Sequence, residues 1–423
     1  MKNQGKDIII KNPKLDGPRT WISNFKDQSH GNLKEEGMPS RNSEYWRFSS
    51  PKLWESNGDF LTNAEPLPKN DKGYSSNKPE FYINFFDGMV DAASLKKLNN
   101  HLNGCEIFDF KECASDDSHW VSEYLGKAEL EARGPYERPF ALLNGSSDFQ
   151  GLVFKCKQSP KKPIHIFYFG DRKIDITLRH LLKIDNGAEL NVIEHFFGSG
   201  KINVVLEGFL DANAILNHSR LVNSCVKNSI ITHFFINCMT SASVKTVSIN
   251  LGDGAVRNET FLSLDGSGCK ATVAGIGVGH SSRAICDNTV FISHLEKASK
   301  SRQIIKNVLS KGAKAVFQGK IFVDSKAQKT DGYQMSNGLL LDDNSEFLVK
   351  PELEIYADDV VCSHGSTSGS IDKEYLFYLQ SRGISEGDAK TILIESYLEE
   401  VIEEIDNPEF AEIIREEIHK ILV

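Results

Sequence analysis

What most constrains this chain is a repeat. Strand-like runs open on small or turn-forming residues at Ser241, Gly254, Gly268, Arg283, Ala298, Gly312 and Lys326, at intervals of 13, 14, 15, 15, 14 and 14 residues. From about Cys156 to Asp359, short β-branched and aromatic runs such as IHIFYF, LNVIEHFF and INVVLEGF are broken by Gly, Asn, Asp and Ser. Most gaps between the runs carry no helical signal. Such strands cannot build a conventional βαβ sheet, but they can stack as rungs of a parallel β-helix. Within a unit, alternation marks inward candidates: Cys269, Ala271 and Val273 in one, Ala313, Ala315 and Phe317 in another. The competing architecture is an antiparallel sandwich, for which Asn-Gly and Asp-Gly dipeptides are present but not regularly spaced. The spacing leaves open whether two or three openings complete a turn.

The flanks have a different texture. Residues 1–155 are mixed, rich in Asn, Ser and Lys, and hold all four tryptophans, Trp21, Trp46, Trp54 and Trp120. They are expected to form an N-terminal mixed helical capping or docking domain, followed by a β-helix core over 156–365 and a helical docking domain over 366–423. In that last segment, Asp372 to Gln380 reads as a helix stopped at Gly383. Ser385 then offers an N-cap, with Asp388 three residues on. Leu393, Ile394, Tyr397, Leu398, Val401, Ile402 and Ile405 follow at helical spacing, Pro408 interrupts, and Phe410, Ile413, Ile414, Ile418 and Leu422 continue the stripe.

Charge is unevenly placed. Glu386 to Val423 carries 12 acidic and 3 basic side chains, a balance equal to the -9 of the whole 423-residue chain. That tail would repel nucleic acid, and no basic stripe compensates for it. A protein partner is the better match for an acidic amphipathic helix. No apolar stretch approaches the roughly 20 residues needed to span a bilayer, and the N-terminus lacks the apolar core of a secretory signal. Eight scattered cysteines without a CxxC pair fit a reducing compartment, so a cytoplasmic protein is expected.

Nucleotide and hydrolase motifs are weak. Gly198-Ser199-Gly200-Lys201 lacks the upstream Gly and the following Ser or Thr of a phosphate-binding loop, and reads as a turn. Gly275, Gly277 and Gly279 alternate in a strand-like run with no helix after it, which suits a tightly packed rung better than a dinucleotide site. Thr367 stands where a nucleophile-elbow Ser would be, and no HExxH occurs.

The stretch Glu354 to Gly369, EIYADDVVCSHGSTSG, is the strongest chemical candidate. In a strand, Cys362 and His364 point the same way, together with Asp358 and Val360, and could share one metal ion or one reaction. A tetrahedral site of nitrogen and sulfur donors takes about four ligands, or three with one position open, so this pair is half a site. The rest must come from elsewhere in the fold or from another chain. The plain alternative is a cysteine acting as a small buried hydrophobe beside a histidine satisfied in the core.

The segments AVFQGKIFVDSKAQKTDGYQ (Ala315 to Gln334), NGLLLDD, KPELEIYADDVVCSHGSTSG (Lys350 to Gly369) and LFYLQSRGIS (Leu376 to Ser385) closely resemble the SufB/SufD family of the SUF iron-sulfur cluster assembly machinery. RNSEYWRFSSPKLW (Arg41 to Trp54) and FALLNGSSDFQG (Phe140 to Gly151) resemble its N-terminal motifs more thinly. Within the family the CSHG form resembles SufD, since SufB carries a His-Glu pair where this chain has His364-Gly365. No cysteine lies between Cys286 and Cys362 to match the SufB cysteine on an earlier rung. The resemblance implies a mainly β protein with a right-handed parallel β-helix core and flanking helical regions. It implies Cys362 and His364 as ligands of a transient iron or iron-sulfur cluster shared with a partner subunit. It further implies a heterodimer with SufB through the β-helix ends, docking of the ATPase SufC on the C-terminal helices, and a homodimer when isolated. ATP hydrolysis would then belong to SufC, with no nucleotide site and no catalysis in this chain. A SufB-like homo-oligomer, or a β-helix enzyme such as a carbohydrate-active lyase or acyltransferase, are the alternatives. The lack of hexapeptide regularity argues against an enzyme of that kind.

Overall fold

Successive strands of the repeat fall alternately into two sheets. The computed structural model describes residues 21–55, 79–114, 116, 119–132, 137–170, 175–198, 200–224 and 229–423. In a ten-stranded first sheet, strands beginning at Ile164, Glu189, Ile215, Ser243, Lys270, Lys300, Asp331 and Val361 pair in parallel in that order. A nine-stranded second sheet does the same with strands beginning at Leu152, Asp175, Lys201, Ser229, Ala255, Ile285, Lys314 and Glu346. Lys270 pairs with Lys300, Lys300 with Asp331 and Asp331 with Val361, so a turn takes 30 or 31 residues here. Two openings therefore complete one turn. About seven turns stack into a parallel β-solenoid, and the antiparallel sandwich is set aside.

The repeat has a physical cause at the corners. Gly187, Asn213, Ser241, Gly268, Ala298 and Lys329 all adopt positive φ, from 58° to 72°. The N–H of each donates to a carbonyl one rung on, at Ala212, Thr240, Ser267, Lys297, Gln328 and Asp359 respectively. The left-handed residue turns its amide along the solenoid axis, so the corner is bonded rung to rung like the strands. The next residue enters a tight interior and is small in every case: Ala188, Ala214, Ala242, Cys269, Ser299 and Thr330, all buried. Glycine is the cheapest solution at the left-handed position, and the L-residues there are held by the bonded column.

The interior is largely apolar and continuous, from Phe81 and Ile83 at one end to Ile305 and Phe317 near the other. Cys269, Ala271, Val273, Ala313, Ala315 and Phe317 all lie inside, as alternation anticipated. The glycines of strand Lys270–Gly279 make room for close neighbours. A Cβ at Gly277 would stand 2.8 Å from the Cys286 Cβ. Gly198 ends one strand and Lys201 begins the next, with Ser199 outside the described residues.

The two outer faces are covered from opposite ends of the chain. N-terminal segments lie on the second sheet, where Tyr45, Trp46, Trp54, Phe140 and Ala128 pack against Val205, Ile231, Phe235 and Phe261. Under them Arg257 donates to Glu259 (2.7 Å), Asp287 (2.6 Å) and the Tyr45 carbonyl (3.2 Å), with its guanidinium 4.0 Å from the Trp46 ring centroid. Arg179 is held similarly between Glu129 (2.7 Å) and Glu207 (2.6 Å). Such buried cations need their carboxylates, since an unpaired charge there is costly.

The C-terminal helices cover the first sheet. Helix Lys373–Ser381 is capped by Asp372, and Gly383 follows with φ 86°. Ser385 caps Glu386–Ile402 by accepting from the Asp388 N–H at 3.2 Å, and Asn407 caps Pro408–Leu422. Their stripe, with Ile394, Leu398, Val401, Ile402, Phe410, Ile414 and Ile418, is buried against Ile193, Val247, Ile249, Ile276 and Val308. The apolar stripe is therefore satisfied within the chain.

The solenoid ends differ. At the N-terminal end, strand Tyr82–Phe86 pairs in parallel with Ile164–Gly170 and folds back on Met89–Val90, while Cys105–Asp109 pairs antiparallel with Leu152–Cys156. Strand pairing thus begins well before residue 156. At the other end, strands Glu346–Ile355 and Val361–Gly369 each have a neighbour on one side only.

Candidate functional site

Cys362 and His364 lie on that last strand, Val361–Gly369. Register decides their direction. Cys362 pairs with Gly332 and His364 with Gln334, and Gln334 crosses the interior to donate to the Glu352 carbonyl on the other sheet at 3.0 Å. Cys362 and His364 therefore point toward the lumen of the solenoid, at its open mouth. By strand rise they are about 6.7 Å apart along the chain, close enough for both side chains to reach one ion.

The strand starts later than alternation alone suggested. Residues 356–360 form the corner between the sheets, with Asp358 and Asp359 exposed on a bend. The Asp359 N–H donates to the Gln328 Oε1 at 2.9 Å, so this segment follows corner geometry and the strand's alternation does not extend to Asp358. Val360 does pack with Cys362, both against Ile321, Val323, Ala327 and Ala357.

The two side chains differ in environment. Cys362 is half-buried and His364 exposed. Burial pushes the Cys362 thiol up from its ordinary value, a backbone hydrogen bond from Gly332 opposes this, and the Asp331 carboxylate adds to the rise. The thiol is protonated at neutral pH and needs a metal ion or incoming cation to become a ligand. Gly332 leaves room for the sulfur, since a Cβ there would lie 3.3 Å from Cys362 Sγ. Gly365 faces the other way, over Met335, where a Cβ would be 3.0 Å from the methyl carbon.

Polar groups continue inward from the mouth. Gln334 Oε1 and Ser336 Oγ are buried without a protein hydrogen-bond partner. Deeper, Glu194 accepts from Arg220 at 2.6 Å and Tyr168 at 2.8 Å, with His218 Nε2 at 2.8 Å. Arg220 also donates to Thr232 (2.7 Å), which donates to Asn258 (2.9 Å), which donates to Asn288 (3.1 Å). None of this network was read from the sequence. Gln334 and Gly332 were accessible in principle, because each lies one 30-residue turn before a candidate residue.

Among the described residues no group of three or more His, Cys, Asp or Glu side chains could hold a metal ion. The chain contributes two donors at an open end. Beside the exposed Asp358 and Asp359 the rim also shows apolar side chains, with Ile355 37%, Tyr356 61% and Val361 73% exposed, and both terminal strands present a free backbone edge. Free edges of this kind are templates for pairing with another chain. A second exposed apolar group lies on helix Lys373–Ser381, with Tyr375, Phe377 and Tyr378 outward and no residue of that helix buried. No helix among the described residues is long and apolar enough to cross a membrane.

A family model described as SUF system FeS cluster assembly, SufBD core domain, matches residues 168–397. Similar proteins include the iron-sulfur cluster assembly protein SufD of Escherichia coli (strain K12), 33% identical over 383 residues covering 88% of this chain and 86% of that protein. Protein ABCI7, chloroplastic, of Arabidopsis thaliana is 25% identical over 423 residues, covering 95% and 86%. SufD of Bacillus subtilis (strain 168) is 24% identical over 404 residues, covering 91% and 90%.

Proposed function

The chain belongs to the SufBD family of the SUF iron-sulfur cluster assembly system, and on that premise we propose that its open last rung is one half of an assembly site completed by a SufB-type partner. The observation that carries this reading is the pairing of two metal-capable side chains with an uncapped solenoid end. Cys362 and His364 face the mouth, and the strands on either side of it lack outer neighbours. A partner solenoid laid end to end would continue both sheets, bury Tyr356 and Val361, and bring its own donors over the mouth. The thiolate and imidazole then serve as ligands for iron or a nascent cluster held as cargo between the subunits.

The role is that of a SufD-like, non-catalytic subunit. ATP hydrolysis falls to a SufC-type ATPase, and the C-terminal helical region is its docking surface. Because the apolar stripe of the two longer helices is already buried, the exposed aromatics Tyr375, Phe377 and Tyr378 and the acidic outer faces are the groups available to it. Residues 1–155, 156–365 and 366–423 act in this scheme as capping, core and docking regions.

Co-expression with SufB- and SufC-type partners, followed by assay of iron and acid-labile sulfide per complex, tests the site. Cys362→Ser and His364→Ala should each lower the bound iron and sulfide while the complex still forms. Full cluster content in the double variant would sink the assignment. Finding the same cluster yield in the purified chain alone would favour the homo-oligomeric scaffold instead.

A further inference from the structure

At the capped end of the solenoid, far along the chain from the mouth, two cysteines face each other across strands. Cys105 opens strand Cys105–Asp109 and Cys156 closes strand Leu152–Cys156, and the two are direct partners in the antiparallel register. The Lys157 N–H donates to the Gly104 carbonyl at 2.7 Å, and the Phe110 N–H to the Gly151 carbonyl at 3.0 Å. In this register those contacts belong to the 104/157 and 110/151 pairs, so the even-numbered positions of the first strand are the hydrogen-bonded ones. Cys105/Cys156 is therefore a non-hydrogen-bonded pair. Such pairs bring Cα atoms to about 4.5 Å with side chains on one face, inside the roughly 4.4–6.8 Å window of disulfides.

The two thiols also influence each other: the neighbouring Cys156 is the largest cause of the raised Cys105 thiol, ahead of burial. Cys156 Sγ in turn donates to the Gln158 carbonyl at 3.2 Å. Cys105 is 3% exposed and Cys156 not at all, yet each borders an exposed segment, Cys105 after Asn103–Gly104 and Cys156 before Lys157–Ser159. Cys105 also sits on the edge strand of its sheet, where local opening is least costly. No other two described cysteines are register partners; Cys269 Sγ is instead surrounded by the carbonyls of Cys238, Met239 and Gly266.

We infer that Cys105 and Cys156 form a redox-active dithiol, which hydrogen peroxide converts to a disulfide that fastens the N-terminal cap to the first rung of the solenoid. The Cys105 sulfur, as thiolate, attacks one peroxide oxygen. The O–O bond breaks, water leaves with the thiol proton, and Cys105 becomes a sulfenic acid. The Cys156 sulfur then displaces the sulfenic oxygen, which departs as a second water carrying the Cys156 proton. Each sulfur is oxidised by one electron and the peroxide is reduced by two. The raised thiol makes the first step slow in the closed fold and dependent on opening of the edge strand. The product closes a covalent loop from 105 to 156 around helix Pro139–Ser146 and its neighbours.

Exposure of the folded full-length chain to hydrogen peroxide, followed by acid quenching, alkylation in denaturant and peptide mass spectrometry, tests this. The expected result is loss of two of the eight thiols and one cross-linked peptide pair joining Cys105 to Cys156, lighter by about 2 Da than the two thiol peptides together. Dithiothreitol should restore both. Cys105→Ser and, reciprocally, Cys156→Ala should abolish the cross-link, with circular dichroism matching the parent. The inference is overturned if the folded parent keeps all eight thiols, if Cys156 cross-links elsewhere, or if the link forms only in denaturant.

Discussion

His364 and Arg257 show how differently two polar side chains can matter at the scale of the residue. His364 is exposed on a terminal strand, so His364→Ala should change the thermal midpoint little, a cost within about 0.5 kcal/mol, while reducing iron in the assembled complex. Arg257 is buried between Glu259, Asp287 and Trp46, and Arg257→Met would leave two buried carboxylates without their guanidinium. That change should cost roughly 3–5 kcal/mol in a urea unfolding titration. On the proposed role, iron binding at Cys362 would have to release the thiol proton, because burial holds that thiol above its ordinary value. Iron uptake by the complex should rise with pH through the neutral range, and Cys362→Ser should flatten that dependence.

Elements in this fold are fixed by corners as much as by strands. Gly268, at φ 72°, stands in the column of left-handed corners, and Gly268→Val forces a β-branched residue into that conformation. A loss of about 1–2 kcal/mol is expected in chemical denaturation. Buried histidines elsewhere on the stacked strands set a pH limit. Burial depresses His165, His180 and His294 to about 4 from an ordinary 6.5, so they are neutral in the fold and charged in the unfolded chain between those values. The unfolded state binds more protons there, and stability must fall as pH drops from about 6.5 toward 4. A melting temperature unchanged across that interval would contradict it.

Period and strand type were readable at this scale because each corner needs a turn former followed by a small residue, as at Gly268-Cys269 and Ala298-Ser299. The number of strands per turn was not, since spacing counts corners and only pairing shows which corners stack. Helix capping and helix burial differ in the same way. Ser385 with Asp388 carries a local signature, whereas the burial of Ile394 and Phe410 on the first sheet depends on contacts with Val247 and Ile276 far back in the chain.

As a whole, the molecule is asymmetric along its axis, closed by folded-back strands at one end and open at the other. Repeat proteins normally need polar caps at both ends to stay apart, so the uncapped end is where a partner would dock in the proposed complex. Val361→Asp places a charge at the 73%-exposed rim of the mouth. It should leave the isolated chain as stable as before and weaken association with the SufB-type partner at least about tenfold, read by analytical ultracentrifugation. The candidate site was legible as a pair, Cys362 and His364, because alternation is a local rule. Its place at the end of the β-helix was legible too, because the strand repeat gives way there to helical spacing, whereas the inward direction of the pair was not, because that depends on its register with Gly332 and Gln334.

The strap from Glu44 to Trp54 adds an element of timing. Tyr45 donates its hydroxyl to Glu352, 307 residues later, while Trp54 donates to the Ile230 carbonyl on an earlier rung. A ribosome adding roughly 5–20 residues per second needs on the order of 15–60 s between making one partner of the Tyr45 contact and the other. Trp46 and Trp54 therefore leave the ribosome well before the rungs that cover them, and Tyr45 waits longer still for Glu352, so during that interval the strap is a natural target of a chaperone.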